Sequence, residues 1–170
     1  MSGLEIPFKG KRIDGIINYL YNLHDVNPAT NGLVEVTASG SSYNEPYVLC
    51  ELGHSDSWAS ENVEKSWFQI DFKEKKVLLK NYTLRMFIYG AGDAHPKNWQ
   101  VLGSNDGVEF KVLVDVKDGY EPDNGPLERT FPIAEEFEPF RIIRLLQTDV
   151  NSDKTNEFVL SNVEFFGTLF

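Results

Sequence analysis

The feature that most constrains the fold of this chain is a run of alternating residues that ends in a turn signal. In residues 99–104, Trp99, Val101 and Gly103 fall on one face of an extended chain, and the intervening residues fall on the other. A period of two indicates a β-strand. The Asn-Asp-Gly that follows, residues 105–107, consists of residue types that tolerate positive φ. The stretch predicts a strand, a tight turn and the next strand, with Trp99 as a core residue rather than a ligand platform.

Similar apolar patterns recur along most of the chain. In residues 67–72, the side chains of Phe68, Ile70 and Phe72 share one face. The other predicted strands are 33–38, 77–89, 112–116, 127–133, 140–148 and 161–166. Residues 140–148 are apolar on both faces, which is typical of a central strand that is covered on two sides. Many strands at short spacing predict an all-β sandwich or barrel.

One helix is predicted, over residues 12–22. Ile13, Ile16, Ile17 and Leu20 follow the spacing of one buried helical stripe. Asp14 is placed to cap a slightly later start. We expect this short helix to cover one side of the β core.

The charge of the chain excludes some classes of partner. The sequence has 170 residues, a length typical of one domain, with 16 Lys and Arg against 26 Asp and Glu, a net charge of -10. Such a surface repels phosphate backbones and anionic lipid headgroups, and no Lys/Arg cluster offsets it apart from residues 73–76. We therefore expect no nucleic-acid partner and no membrane partner.

The cysteine content and the N-terminus bear on location. Cys50 is the single cysteine, so an internal disulfide is impossible, which suits a reducing compartment. The first residues lack the apolar core of a signal peptide, and no run approaches the ~18 apolar residues that a membrane helix needs. A cytoplasmic protein is expected.

The sequence shows no signature of a catalytic site. Residues 90–95, GAGDAH, have two glycines of a dinucleotide fingerprint but not the third, and no Walker loop or nucleophile elbow occurs. Cys50 and His54 are close in sequence, but acidic residues surround them, whereas a reactive thiolate needs an electropositive setting. Acid pairs for glycosidase chemistry remain open, because no spacing among the acidic residues singles one out.

Two groups of polar residues are candidates for specific roles. Trp58, Asp93, His95 and Lys97 are our candidate ligand-binding residues, with an aromatic ring to stack and polar groups to orient a ligand in an end pocket. The alternative is that Asp93, His95 and Lys97 form a plain solvated loop. Separately, Arg141 or Arg144 needs a partner if buried, and Asp71 is the structural candidate.

Several motifs in order resemble the discoidin domain, also called the coagulation factor 5/8 type C domain. They are Trp67-Phe68-Gln69-Ile70-Asp71-Phe72, Asn98-Trp99, Ser104-Asn105-Asp106-Gly107, Arg141-Ile142-Ile143-Arg144 with Gln147-Thr148, and Val163-Glu164-Phe165-Phe166-Gly167. Residues 14–20 and 34–37 look like the intracellular branch of that family, which is abundant in protists. The resemblance covers about residues 12–169, so we treat residues 1–170 as a single discoidin-like domain. It implies a galactose-binding-like jelly-roll sandwich of about eight antiparallel strands, whose end loops bind a ligand or partner.

The resemblance also implies where a structural calcium would bind. Sugar-binding members often place acidic ligands before a Trp-Ala-Ser stretch and on the last strand. Here Glu51 stands in place of Asp, Gly53 in place of a second acid, Asp56 near a Thr position, and Asn162 in place of Glu. Because Ca²⁺ needs several carboxylates, we expect no tight calcium site and no other cofactor. The disulfide of secreted lipid-binding members is also missing.

Three hypotheses for function follow. The first is a non-catalytic intracellular adaptor or structural subunit that binds a protein partner through end loops or an exposed sheet face. A cytoskeletal or axonemal adaptor is one version of this hypothesis. The alternative is a carbohydrate-binding, lectin-like module. An unrecognised hydrolase ranks last, and we expect that the chain is not an enzyme.

Overall fold

The computed structural model describes residues 2–53, 56–86, 94–119 and 128–170. The described residues form one α-helix, one 3-10 helix and eleven strands, of which three have only two or three residues. The helices are α1 (Ile16–Asn22) and the 3-10 helix Pro46–Cys50. The strands are β1 (Leu4–Ile6), β2 (Glu35–Ala38), β3 (Trp58–Ala59), β4 (Trp67–Asp71), β5 (Val77–Arg85), β6 (Trp99–Ser104), β7 (Lys111–Val116), β8 (Glu128–Pro132), β9 (Ile142–Gln147), β10 (Val159–Leu160) and β11 (Asn162–Leu169).

The strands build the predicted antiparallel β-sandwich. One sheet has the order β1-β11-β5-β8 and the other the order β2-β4-β9-β6-β7, while β10 and β3 form a separate pair. All named pairs are antiparallel. Neither helix in the described ranges is long and apolar enough to cross a lipid bilayer.

The predicted hairpin is formed by β6 and β7. Trp99 pairs with Val116, and the two strands continue antiparallel toward residues 105–110. This connection is longer than the tight turn that the sequence predicted. The Asp106 carboxylate accepts hydrogen bonds from the backbone N–H groups of Val108 and Glu109, at 2.8 and 2.9 Å. Asp106 therefore holds a wider loop closed.

Trp99 is a core residue, as predicted. Its side chain is fully buried, and its indole N–H donates to the hydroxyl of Tyr82, at 2.9 Å across the sandwich. The ring also meets Phe131 edge-on, with centroids 5.2 Å apart. Phe68, Ile70 and Phe72 are likewise fully buried, which confirms the predicted inward face of β4.

The predicted central strand is β9, which lies in the middle of the five-stranded sheet. Ile143 and Leu145 are fully buried in the core. The opposite face is covered less completely than predicted, because Arg144 and Leu146 are only partly buried there. Asp71 pairs with an arginine as predicted: its Oδ1 lies 3.2 Å from Nε of Arg141, an ion pair without hydrogen-bond geometry.

The helix begins later than predicted. Ile16, Ile17 and Leu20 are buried as expected, but Ile13 precedes α1 and is 38% exposed. Asp14 does not cap the helix, since Gly15 occupies the N-cap position and Asp14 accepts a side-chain bond from Asn18. The start of α1 is fixed instead by a residue far along the chain, Glu164, whose carboxylate accepts from the N–H groups of Ile17 and Asn18.

The last strand runs further than predicted. β11 continues through Gly167 to Leu169, with a register shift between Phe166 and Gly167 against β5. The predicted strand 161–166 stops just before Gly167, whereas this glycine forms a bulge that lets pairing resume. β5 itself is described from Val77 to Arg85, and residues 87–89 of the predicted strand lie outside the described residues.

Candidate functional site

One end of the sandwich gathers loops that are distant in sequence. Trp99 pairs with Gln147 and with Val116, so the segments before β6, after β9 and after β7 leave the sheet together. Trp67 pairs with Leu146, which adds the segment before β4. We call this the loop end. Its described part comprises residues 60–66, 94–98, 117–119 and 148–158.

The segment before β6 is bonded to the segment after β9. The N–H of His95 donates to Oγ of Ser152 at 3.0 Å, and the N–H of Ser152 donates to the carbonyl of His95 at 3.1 Å. A further bond joins the N–H of Thr148 to the carbonyl of Asn98 at 3.0 Å. These bonds fix the two segments side by side.

Lys97 and Asp118 form an exposed charged pair on the loop end. Lys97 Nζ lies 3.1 Å from Oδ1 of Asp118, and the two side chains are 40% and 70% exposed. The backbone around them is held in place: the N–H of Gly119 donates to the carbonyl of Lys97, and the N–H of Asp118 donates to Oδ1 of Asn98. An exposed ion pair contributes little to stability, so both polar groups are accessible to a ligand at small cost.

Asn151 organises the segment after β9. Its Nδ2 donates to Oγ1 of Thr155 at 2.8 Å and to the carbonyl of Glu157 at 2.9 Å, while its Oδ1 accepts from the N–H groups of Asp153 and Thr155. The side chain is 2% exposed. One buried amide therefore provides hydrogen-bond partners for the backbone groups of an irregular loop, as a rigid binding loop requires.

Of the four predicted ligand residues, the structure describes Trp58, His95 and Lys97. The prediction that Trp58 stacks on a ligand is wrong. Trp58 is fully buried, it packs edge-on against Phe68, and its indole N–H donates to Ser41. A ring without exposed surface cannot stack on a ligand. His95 and Lys97 both lie on the loop end, although His95 is only 3% exposed. Asp93 lies outside the described residues. The binding role of His95 and Lys97 remains a prediction.

Tyr43 is an exposed aromatic residue that the sequence reasoning missed. It is 49% exposed, and its hydroxyl donates to Oδ2 of Asp56 at 2.8 Å. This hydrogen bond raises the pKa of Tyr43. Its neighbour Ser42 reaches the loop end through a bond to the carbonyl of Ser60 at 2.8 Å. The signal available in the sequence was a tyrosine inside the polar loop 39–46.

The positions that the family uses for calcium do not fit the ion. The Glu51 carboxylate accepts from Nδ2 of Asn27 at 2.9 Å, and Nδ2 of Asn162 donates to the Glu51 carbonyl at 2.7 Å. Amide donors thus occupy the place of additional carboxylates, which Ca²⁺ needs. The described ranges contain no group of three His, Cys, Asp or Glu side chains that could hold a metal ion.

Cys50 has the properties of a core residue. Its side chain is 1% exposed, and burial raises the pKa of the thiol, with the nearby Glu164 carboxylate acting in the same direction. A nucleophilic cysteine needs the opposite shift. His54, its neighbour in sequence, lies outside the described residues.

A second surface of interest is the outer face of the five-stranded sheet. The guanidinium of Arg144 lies between two aromatic rings, 4.1 Å from the ring centroid of Trp67 and 3.9 Å from that of Phe110. Its Nε and Nη2 both donate to Oε1 of Gln69, at 2.9 and 2.6 Å. All four residues are partly exposed, so this face presents an ordered cation and aromatic edges to the surroundings.

Comparison with known proteins places the chain among modules of one fold. The model of the F5/8 type C domain matches residues 25–161. No curated protein matches the sequence.

Among solved structures, the CBM32-5 module of Clostridium perfringens, in complex with GalNAc-β-1,3-galactose, is 12% identical, with a TM-score of 0.63 over 79% of this chain and 96% of that one. A chitosan-binding module from Paenibacillus sp. IK-5 is 17% identical, with a TM-score of 0.61 over 78% and 92%. The lectin domain of lectinolysin, complexed with Lewis B antigen, is 16% identical, with a TM-score of 0.61 over 78% and 91%.

Proposed function

Because the chain belongs to the F5/8 type C domain family, we propose that it is a non-catalytic module that binds carbohydrate at its loop end. The observation that supports this most directly is the set of similar solved structures, which share the fold over nearly their whole length and are sugar complexes or a chitosan-binding module. This favours the carbohydrate-binding hypothesis over the protein adaptor.

The described loop end offers the groups that a sugar needs. Sugar hydroxyls both donate and accept hydrogen bonds, and the exposed Lys97–Asp118 pair provides a donor and an acceptor 3.1 Å apart. The backbone bonds around the pair hold both residues before a ligand arrives, which lowers the entropy cost of binding. Tyr43, half exposed on the adjacent loop, replaces Trp58 as the candidate for stacking on a sugar ring.

The charge of the loop end favours a neutral sugar over an acidic one. Lys97 is already paired with Asp118, and the described segments of the loop end carry six Asp and Glu side chains against four Lys. The chain as a whole carries a net charge of -10. A uronate or sialic acid would be repelled by this field, whereas a neutral sugar would not.

A glycan array with neutral and acidic glycans tests the proposal. We expect binding to neutral glycans, and we expect Lys97→Ala and Asp118→Ala each to weaken it about tenfold, since a hydrogen bond to a charged group contributes about 1.5–3 kcal/mol. Lys111→Ala is the matched control, because Lys111 forms a similar exposed pair with Glu138, 3.3 Å apart, at the other end of the sandwich. Equal effects of Lys97→Ala and Lys111→Ala, or binding only to acidic glycans, would contradict the proposal.

The second candidate function is protein binding through the outer sheet face. The guanidinium of Arg144 between Trp67 and Phe110 supports it, because Arg and Trp are enriched among residues that dominate protein interfaces. A blank glycan array combined with specific capture of one protein, lost in Arg144→Ala, would favour this role over carbohydrate binding.

A further inference from the structure

A groove runs along the free edge of β2 and reaches toward the loop end at Gly40 and Ser41. Its volume is about 460 Å³. One wall is β2 itself, through Val36, Thr37 and Ala38, and the other wall includes Pro46 and Tyr47 at the start of the 3-10 helix. The volume lies within the range typical of ligand sites, and every lining residue is described.

The backbone of β2 has hydrogen-bonding groups that point into this groove. β2 pairs on one side only, with β4. The N–H of Ser39 donates to the carbonyl of Trp67 on the β4 side, at 2.9 Å. Because backbone groups alternate in direction along an antiparallel strand, Thr37 also faces β4, whereas the N–H and C=O groups of Val36 and Ala38 face the free edge.

The outward N–H and C=O groups of Val36 and Ala38 favour an extended peptide chain as the ligand of this groove. Within the described ranges, no loop or strand pairs with the outer edge of β2. Unpaired backbone groups in a row are a template for another extended chain, which supplies the complementary N–H and C=O groups at the same spacing. A four-residue strand at about 3.3 Å per residue has room for an extended segment of similar length.

The part of β2 that lines the groove has no charged residue or proline. Proteins commonly block an exposed edge with charged residues or proline. Glu35 at the start of β2 is paired with Lys73, whereas Val36, Thr37 and Ala38, which line the groove, carry no charge. The other edges of the two main sheets each carry a charged residue or proline: Glu5 on β1, Lys111 and Asp115 on β7, and Glu128, Arg129 and Pro132 on β8.

The charge around the groove selects among extended chains. Glu45 lines it, and the Glu61 carboxylate lies against Gly40, another lining residue. Residues 40–47, which supply the opposite wall, contain Glu45 but no Lys or Arg. A second copy of this chain would bring the same acidic wall against itself. A basic segment would instead be attracted.

We infer that the free edge of β2 binds an extended, lysine- or arginine-containing segment of a protein partner by strand addition. This inference rests on other residues than carbohydrate binding, because the groove does not include Lys97, Asp118 or Tyr43. The backbone of the segment pairs with Val36 and Ala38, and its basic side chains lie beside Glu45.

The test uses the full chain and a labelled, end-blocked peptide of six residues that alternates lysine and threonine, followed by fluorescence anisotropy. Two matched peptides isolate the contributions: one replaces lysine with glutamate, and one carries N-methyl groups on the amides of a single edge. We expect the lysine peptide to bind and the glutamate peptide not to bind. N-methylation should weaken binding at least about tenfold, because it removes two or more hydrogen bonds.

Charge reversal on the protein provides the second comparison. Glu45→Lys should weaken binding of the lysine peptide about three- to fivefold and allow the glutamate peptide to bind, as expected for a partly exposed charge pair. Glu109→Lys makes the same change of net charge on the exposed loop between β6 and β7 and should have no effect. Lys97→Ala should leave peptide binding unchanged.

Three results would overturn the inference. Equal binding of the N-methylated peptide would show that no strand is added. If Glu45→Lys and Glu109→Lys weakened peptide binding equally, the attraction would come from the net charge of the protein and not from Glu45. Light scattering that shows a dimer lost on Val36→Pro, with no binding of the lysine peptide, would make a second copy the occupant of the edge.

Discussion

At the scale of single residues, Glu164 is the most unusual group in the described structure. Its carboxylate is 2% exposed, yet it accepts hydrogen bonds from the N–H groups of Ile17, Asn18 and Phe165. Burial raises its pKa from 4.5 to about 7, although the hydrogen bonds act in the opposite direction. The carboxylate thus joins the last strand to the start of α1, at the cost of removing an acid from water.

We predict that Glu164 makes the free energy of unfolding fall as the pH rises from about 4.5 to about 7. The folded protein holds this proton more tightly than the unfolded chain, so the protonated form stabilises the fold below this window and the advantage is lost above it. The loss is at most about 3 kcal/mol, from 1.36 kcal/mol per pKa unit. Urea denaturation of the wild type and Glu164→Gln across this range measures it.

Subtracting the free energy of unfolding of Glu164→Gln from that of the wild type at each pH isolates the contribution of Glu164 from that of the other acids. Asp106 and Glu138 have lowered pKa values, owing to backbone hydrogen bonds, and act in both proteins with the opposite sign. A pH dependence that is the same in Glu164→Gln as in the wild type would refute the assignment.

Single residues also show the limit of sequence reasoning. The sequence predicted the burial of Trp99 and an arginine partner for Asp71, but only the structure shows that this partner is Arg141 and not Arg144. Trp58 was wrong as a ligand platform, because its short strand β3 gives no periodic pattern from which to infer its side. Tyr43 was missed because an exposed tyrosine in a polar loop looks the same whether or not it binds anything.

At the scale of elements, β11 depends on one glycine. Gly167 has φ of +149°, and a Cβ at this position would lie 2.0 Å from the carbonyl oxygen of Leu78 on the paired strand. The conflict is with backbone, which cannot move without breaking the ladder between β11 and β5. This glycine lies just beyond the predicted end of the strand, and it is what allows the strand to continue.

We predict that Gly167→Ala lowers the free energy of unfolding by more than about 3 kcal/mol, because it combines backbone strain with a steric conflict. Gly32→Ala is the matched control: Gly32 also has positive φ, +82°, but nothing lies within 4 Å of its Cβ position. The control should lose only about 1 kcal/mol. Chemical denaturation measures both, and similar losses in the two variants would contradict the predicted role of the bulge.

At the scale of the whole molecule, the reactivity of the Cys50 thiol can show whether the domain unfolds cooperatively. The thiol is buried beside Ile17, Val163 and Glu164, so α1, the 3-10 helix and β11 all meet around it. Exposing this group to solvent requires these elements to separate.

We predict that a thiol reagent labels Cys50 only through global unfolding. The urea dependence of the labelling free energy should then equal the slope for global unfolding, which scales with the surface exposed. A clearly smaller slope, measured in native conditions, would show that α1 and the 3-10 helix open on their own.

The sequence by itself determined where the eight longer strands lie, which of their faces are buried, and that the surface is acidic, but not the short strands β1, β3 and β10. These properties follow from the two-residue period and from composition, and both can be read locally. The tertiary structure decided where α1 begins, which aromatic rings remain exposed, which loops meet at one end, and which strand edge stays open. Each of these depends on contacts between distant residues, such as the bond from Ile17 to Glu164, 147 positions away. Local patterns fix the faces of strands, but only the folded chain fixes which strands and loops become neighbours.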